Sequence, residues 1–182
     1  MPLFDRRPSP GRRHEHAARS AADRCLICDI VTGHEVSSRV YEDDDVLAFM
    51  DLYPVSPGHV VVAPKVHVVG LADLDPDLGA RVWRVAHRLA RAVRDTTLRC
   101  EGVNLFLADG QAAFQEVFHV HLHVFPRFDG DSFTIDAQWQ KADRADLDAV
   151  AGHISDAVSH QPKSAGMDVA ADLGRAPASQ NS

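Results

Sequence analysis

The sequence has few cysteines, no long apolar run and no excess of positive charge. Its 182 residues include three cysteines, too few and an odd number for the disulfide framework of a small secreted domain. The longest apolar stretches, such as residues 60–63 and 66–72, are too short to cross a bilayer. A net charge of -7 offers no basic surface to a nucleic-acid backbone. We therefore expect no membrane and no nucleic acid among its partners.

The two ends differ in composition from the middle of the chain. Residues 1–22 are rich in Arg, Pro, Ser and Ala, and residues 161–182 are rich in Gly, Ala, Ser and Pro. Neither end has much to bury, so both are predicted to be disordered. The first also lacks the apolar run of a secretory signal, which predicts a cytoplasmic protein. Residues 23–160 are long enough for one domain.

The pattern of the middle region predicts more strands than helices. Strands are expected at 39–41, 46–50, 59–63, 103–107 and 117–125, and a short helix at 26–31 ends at Gly33. Two main helices are expected at 75–95, capped by Asp75, and at 144–159. The apolar face of the last helix comprises Leu147, Val150, Ala151, Ile154 and Val158. Hairpin-linked strands of this kind predict an α+β domain with a mainly antiparallel sheet.

Three histidines alternate with apolar residues in His119-Val-His121-Leu-His123. Successive side chains of a strand point to opposite faces, so the three imidazoles would share one surface and the apolar residues would enter the core. A solvated strand face can also carry histidines without any chemistry. The pattern by itself is therefore typical of either a reactive site or a solvated strand face.

Cys25 and Cys28 have the two-residue gap at which two thiolates can bind one zinc ion. Two more ligands would be needed for a closed structural site. The alternatives are a pair of buried thiols and a redox pair, although the βαβ context of a thioredoxin-like motif is missing.

The segment from Gln115 to Arg127 resembles the signature of the histidine-triad (HIT) family. Further blocks resemble bacterial members of that family in the usual order: 25–30, Val40-Tyr-Glu-Asp, 47–51 and 57–67. The resemblance covers residues 25–139. It implies a HIT-like α+β sheet with two main helices, extended across a homodimer.

The resemblance also implies a mechanism centred on His121, with His119 and His123 beside it in the catalytic site. A neutral imidazole is available near pH 7 and can attack the α-phosphorus of a nucleotide. The nucleotidyl-histidine formed in this way is then resolved by water. The substrates implied are purine nucleoside phosphoramidates or diadenosine polyphosphates.

Substrate contacts are implied by the same resemblance. Asp51 would bind the ribose hydroxyls, and His59 and Gln115 would lie near the phosphate. Ile27, Phe49 and Leu52 would form an apolar slot for the base. Without the resemblance, Asp51 would be read as a turn residue, His59 as a solvated polar residue and Phe49 as core.

Some bacterial members of the family complete a zinc site with two histidines, which here are His67 and His119. The resemblance therefore implies a structural zinc ion held by Cys25, Cys28, His67 and His119.

Three residues depart from the family pattern. Phe114 and Glu116 stand where many members have glycine and a hydroxyl residue, and Ala108 stands where an amide often serves substrate. A carboxylate aimed at the phosphate would repel it, so Glu116 must turn away or be offset by a cation. Phe114 and Glu116 therefore keep open a non-catalytic, zinc-stapled nucleotide-binding module. A dinucleoside polyphosphate phosphorylase, in which phosphate replaces water in the second step, is a related enzyme alternative.

Overall fold

The computed structural model describes residues 25–135 and 137–161, which belong to two compact units divided at residue 136. The predicted disordered ends, 1–22 and 161–182, lie outside the described residues except for residue 161. The first unit contains helices α1 (Leu26–Thr32) and α2 (Pro76–Ala92) and strands β1 (Arg39–Glu42), β2 (Val46–Met50), β3 (Val60–Pro64), β4 (Gly102–Leu107) and β5 (Leu122–Arg127). The second unit contains helix α3 (Arg144–His160).

The five strands form one open sheet in the order β1-β2-β3-β5-β4, and every neighbouring pair is antiparallel. This confirms the predicted α+β class with an antiparallel sheet. Two strands next to each other in sequence, β1 and β2, are also neighbours in space because a short turn, residues 43–45, joins them. Strand β5 lies between β3 and β4, and it carries the last histidine of the triad into the middle of the sheet.

One helix packs on each face of the sheet. Alternate residues of β2, β3 and β5 pack against α2 on one face, where Val82, Val85, Ala86 and Leu89 are buried. Ile27 and Ile30 of α1 pack on the other face against Leu47, Phe49, Val61 and Ala63. His123 lies directly opposite Val61 in the sheet, so its side chain is on the α1 face.

Local sequence signals explain where the helices begin and end. The carboxylate of Asp75 accepts a 2.9 Å hydrogen bond from the amide of Leu78 and caps α2, whose first residue is Pro76. Gly33 ends α1 in the left-handed region with φ 79°. Both caps agree with the sequence prediction.

One predicted strand begins later than expected. Strand β5 starts at Leu122 rather than at Val117. The backbone before it bonds elsewhere, since the amide of Val120 donates to the carbonyl of Val68 at 2.7 Å and the amide of His119 donates to Val117 at 2.8 Å. Of the three histidines, only His123 lies within the sheet.

Helix α3 extends the predicted last helix by one residue. The side chain of Asp143 caps it by accepting a 2.8 Å hydrogen bond from the amide of Ala145. Within this unit, the predicted apolar residues Leu147, Val150, Ile154 and Val158 are all exposed. Among the described residues, neither α3 nor any other helix is both long enough and apolar enough to span a bilayer.

Candidate active site and metal centre

His121 is anchored by the backbone of the residue two positions before it. Its Nδ1 lies 2.6 Å from the carbonyl oxygen of His119, and because a carbonyl can only accept, Nδ1 carries the hydrogen. In a neutral ring the lone pair is therefore on Nε2. The side chain is 8% exposed, and burial lowers the pKa of His121 from 6.5, although its bond to His119 and the charge of Asp51 oppose the shift. The ring is thus neutral at pH 7, with Nε2 as a candidate nucleophile.

His59 and His123 form a hydrogen-bonded pair beside His121. Nε2 of His59 lies 2.8 Å from Nδ1 of His123, and the rings of His121 and His123 meet edge to face with centroids 4.8 Å apart. His59 is fully buried, and Phe125 packs against both rings of the pair. The turn before β3 and the beginning of β5 thus bring two predicted site residues together.

The surroundings of His59 determine the direction of this hydrogen bond. Its Nδ1 accepts from the amide of Val55 at 3.3 Å, which places the hydrogen on Nε2, the atom that faces His123. If His59 is protonated instead, Nδ1 faces the carboxylate of Asp51 at 3.5 Å and Nε2 keeps its hydrogen. In both states His59 donates to Nδ1 of His123. A neutral His123 therefore carries its own hydrogen on Nε2.

Asp51 lies at the end of β2 and makes two contacts. One carboxylate oxygen accepts a 2.7 Å hydrogen bond from the amide of Tyr53, and the other faces His59. Asp51, His59 and His123 place three ligand atoms within 4.8 Å of one another, a spacing that a metal ion could also use. The 2.8 Å separation of the two histidine nitrogens is that of a hydrogen bond, so we assign the group as a hydrogen-bonded chain.

The remaining predicted substrate residues have different environments. Ile27 and Phe49 are buried in the same cluster under α1, whereas Leu52 is 84% exposed. Gln115 is buried, and its amide accepts from the amide of Gly110 at 2.7 Å and donates to the carbonyl of Val69 at 2.8 Å. Gln115 thereby ties the loop before the triad to the segment that follows β3.

The structure also shows the environments of the three residues that depart from the family pattern. Glu116 is exposed and Ala108 is buried. Phe114 has a left-handed backbone, φ 68°, and a side chain that is 60% exposed. Glycine adopts this conformation without strain, whereas a residue with a Cβ does not. The loop therefore keeps a backbone geometry suited to glycine although phenylalanine occupies the position.

The four predicted metal ligands converge at one point. Cys25 Sγ lies 3.4 Å and Cys28 Sγ lies 3.6 Å from Nδ1 of His119, and Cys28 Sγ lies 3.3 Å from Nδ1 of His67. Tetrahedral zinc with bonds of about 2.3 Å to sulfur and 2.0 Å to nitrogen holds its ligand atoms about 3.5 Å apart. The spacing of the side chains therefore fits a zinc ion.

The protonation of these groups agrees with a metal site. Nε2 of His119 lies 2.8 Å from the carbonyl of Pro64, so the hydrogen is on Nε2 and the lone pair of Nδ1 points to the sulfurs. Burial lowers the pKa of His119, which keeps it neutral. Burial, followed by the hydrogen bond and the charge of Cys25, raises the pKa of Cys28 to about 11. Without a cation Cys28 is therefore a thiol at pH 7, and a metal ion bound between the two sulfurs would favour their thiolate forms.

Sequence reasoning missed two backbone atoms and one side-chain cluster. The carbonyl of Pro64 and the amide of Val55 orient His119 and His59, but backbone atoms leave no residue-type signal. The cluster is centred on Arg127, which binds Asp131 through two hydrogen bonds of 2.6 and 2.7 Å and donates to Asn104 at 2.6 Å. The side-chain oxygen of Asn104 is thus engaged with Arg127.

The chain is similar to known proteins in sequence and in fold. A family model described as the HIT domain matches residues 33–130. An uncharacterized HIT-like protein of Mycobacterium tuberculosis is 37% identical over 78% of this chain and 97% of its own length. A zinc-bound histidine triad family protein of Mycobacterium smegmatis is 39% identical, with a TM-score of 0.59 over 73% of this chain and 96% of its own. A HIT family hydrolase of Legionella pneumophila is 33% identical, with a TM-score of 0.50 over 56% of this chain and 91% of its own.

Proposed function

Because this chain belongs to the HIT family, we propose that it is a nucleotide hydrolase that forms a nucleotidyl-histidine intermediate on His121. Its substrates are purine nucleoside phosphoramidates or diadenosine polyphosphates, which it cuts at the α-phosphate. The observation that carries the proposal is the 2.6 Å contact between His121 Nδ1 and the carbonyl of His119. That bond fixes the tautomer with a nucleophilic Nε2.

The first step exchanges one bond at phosphorus for another. The Nε2 lone pair of His121 attacks the α-phosphorus, and the bond from phosphorus to the leaving nitrogen or oxygen breaks. The leaving atom takes a proton from Nε2 of His123, while protonated His59 passes its own Nε2 proton to Nδ1 of His123 along their 2.8 Å hydrogen bond. His59 ends the step neutral, with its remaining hydrogen on the Nδ1 that faces Asp51, and His123 is not left as an anion. Water then attacks the phosphorus, and His121 leaves as the free imidazole while the nucleoside monophosphate is released.

The rest of the substrate is held by residues around this pair. Asp51 accepts hydrogen bonds from the vicinal hydroxyls of the ribose, since a carboxylate offers several lone pairs beyond those used by Tyr53 and His59. Ile27, Phe49 and Leu52 border the slot for the purine, with Leu52 at its exposed rim. Gln115 contributes by holding the loop before the triad in place.

Cys25, Cys28, His67 and His119 would hold a zinc ion, which would supply a structural cross-link and no part of the phosphorus chemistry. The ligand set joins α1, the segment after β3 and the start of the triad. In this role His119 is a positioning residue, because its ring is fixed by the cluster and its carbonyl orients His121.

We further propose that the protein is a homodimer that works in the cytoplasm. Strand β4 lies at one edge of the sheet and is partly buried along its length, so a second copy can continue the sheet there. Light scattering on the full chain would give twice its mass of 19.9 kDa. A single-chain mass at micromolar concentration would rule the dimer out.

The decisive experiment is mass spectrometry of the intact protein, quenched rapidly after mixing with an adenosine phosphoramidate. We expect an added adenylate on the wild type and none on His121→Ala. A parallel reaction with diadenosine polyphosphate, with and without inorganic phosphate, separates hydrolase from phosphorylase by its products. If the folded protein binds nucleotide but forms no adduct and leaves the substrate intact, it is a binding module and the enzyme proposal is wrong.

A further inference from the structure

Cys25 and Cys28 form a pair of neighbouring thiols that the phosphorus chemistry does not use. Their sulfurs lie within 4.8 Å of each other, at the beginning of α1 and three residues further on. Both side chains are half-buried and therefore in contact with solvent, whereas the third cysteine, Cys100, is buried. An oxidant in solution can reach the pair more easily than it can reach Cys100.

We propose that Cys25 and Cys28 are an oxidation site, at which a peroxide converts the two thiols into a disulfide that releases His119 and weakens catalysis by His121. The part that concerns catalysis rests on the proposed function, and the part that concerns the disulfide does not. An S–S bond of about 2.05 Å requires the sulfurs to approach by less than ~3 Å, which rotation about the two Cα–Cβ bonds can supply.

The oxidation is balanced with peroxide as the only co-reactant. One sulfur attacks a peroxide oxygen, the O–O bond breaks, and a sulfenic acid and one water are formed. The second sulfur attacks the sulfenic sulfur, the S–O bond breaks, and a second water leaves with the disulfide. Two thiols are oxidised by two electrons in total, and one peroxide molecule is reduced to two waters.

The consequence for the site follows from the contacts of His119. Both sulfurs lie within 3.6 Å of its Nδ1, and neither can serve as a thiolate ligand once they are joined. Of the hydrogen bonds described for this ring, the one from its opposite nitrogen to Pro64 then remains, together with the edge-to-face contact with His67. Since the carbonyl of His119 sets the tautomer and direction of His121, freeing this residue disturbs the nucleophile without touching substrate.

The disulfide can be measured without any activity assay because Cys100 is an internal control. The full chain, once zinc-loaded and once treated with chelator, is exposed to hydrogen peroxide, denatured and alkylated. The three cysteines of the reduced protein take three labels. We expect the oxidised protein to take one label, on Cys100, and to lose about 2 Da before alkylation. Peptide mapping would then show Cys25 joined to Cys28, and Cys100→Ser would behave in the same way apart from its missing label.

Several results would overturn the proposal. They are three labels after peroxide, a disulfide that includes Cys100, and sulfinic or sulfonic acids on Cys25 or Cys28 in place of a disulfide.

For the catalytic part of the proposal, we expect adenylate transfer to fall roughly tenfold or more after oxidation, and a dithiol together with zinc to reverse the loss. Unchanged transfer by protein with a mapped disulfide would contradict the coupling. Reduced protein with no transfer activity would instead refute the proposed function, and the labelling result would stand.

Discussion

His119 joins the two sites, because its backbone carbonyl accepts a 2.6 Å hydrogen bond from Nδ1 of His121 while its ring lies 3.4 Å from the sulfur of Cys25. One residue therefore has a structural and a catalytic contact at the same time. Changes at the metal cluster should reach the nucleophile through this carbonyl, and changes at His121 should leave the cluster intact.

Replacing His121 with alanine should separate catalysis from binding. We expect the rate of adenylate transfer to fall by at least ~10³-fold, because no other group supplies the nucleophile. Nucleotide affinity should change only a few-fold, since the contacts proposed for the ribose and base remain. His87→Ala is a matched control, because His87 is exposed on α2. Steady-state kinetics that show similar rates for both variants would remove His121 from the mechanism.

The pair of His59 and His123 should act as one unit. We expect His59→Gln to lower kcat about 10–100-fold with little change in KM, because it disturbs the donor that protonates the leaving group. The double variant with His123→Gln should be hardly slower than His123→Gln alone, since both changes break the same 2.8 Å bond. Losses that multiply would show that the two residues work independently.

Side-chain periodicity explains how much of the fold could be predicted. The α2 residues at helical spacing are buried, and the caps at Asp75 and Gly33 have the expected geometry. The first residue of β5 could not be predicted from the sequence. Histidines and apolar residues alternate in the triad in the same way whether the backbone there pairs with a strand or, as at Val120, with a loop. Alternation reports which way side chains point and not which partner the backbone finds.

The candidate site likewise has a part that the sequence predicts and a part that depends on the backbone. Residue types and their spacing pointed to the histidine triad and the cysteine pair, and the resemblance to the HIT family assigned roles to His121, His59 and His67. The orientation of those rings depends on backbone atoms of Pro64, Val55 and His119, which any residue could supply. Gln115 shows the opposite case. It was expected near the phosphate, but its side-chain oxygen accepts from the backbone of its own loop and its side-chain nitrogen donates to the backbone of the segment after β3.

Removing the metal should destabilise the first unit. At a free zinc concentration about a thousandfold above Kd, binding would stabilise the folded state by ~4 kcal/mol, and a chelator would abolish this gain. We expect the chelator to lower the Tm of the wild type and of Cys100→Ser by the same amount. Cys28→Ser should start with a lower Tm and respond little. Differential scanning calorimetry with metal analysis measures both quantities, and an equal response of Cys28→Ser would contradict the proposed ligand set.

The Arg127–Asp131 pair should make stability depend on acid. The hydrogen bonds from Arg127, followed by those from the amides of Phe128 and Phe133, hold the pKa of Asp131 well below its usual 3.8. Because the folded pKa is the lower one, the stabilisation is fully present above the unfolded pKa and is lost as the pH falls through the folded pKa. We expect wild type to exceed Asp131→Asn in urea midpoint at pH 7, and the gap to narrow progressively below about pH 4. Asp129→Asn, which removes an exposed carboxylate from the same turn, controls for the lost charge. Linkage requires a shifted pKa to appear as a pH-dependent difference in stability. This ion pair would therefore not stabilise the fold if the difference in urea midpoint between wild type and Asp131→Asn stayed constant from pH 7 to acid. The same would follow if Asp129→Asn changed the urea midpoint by an equal amount.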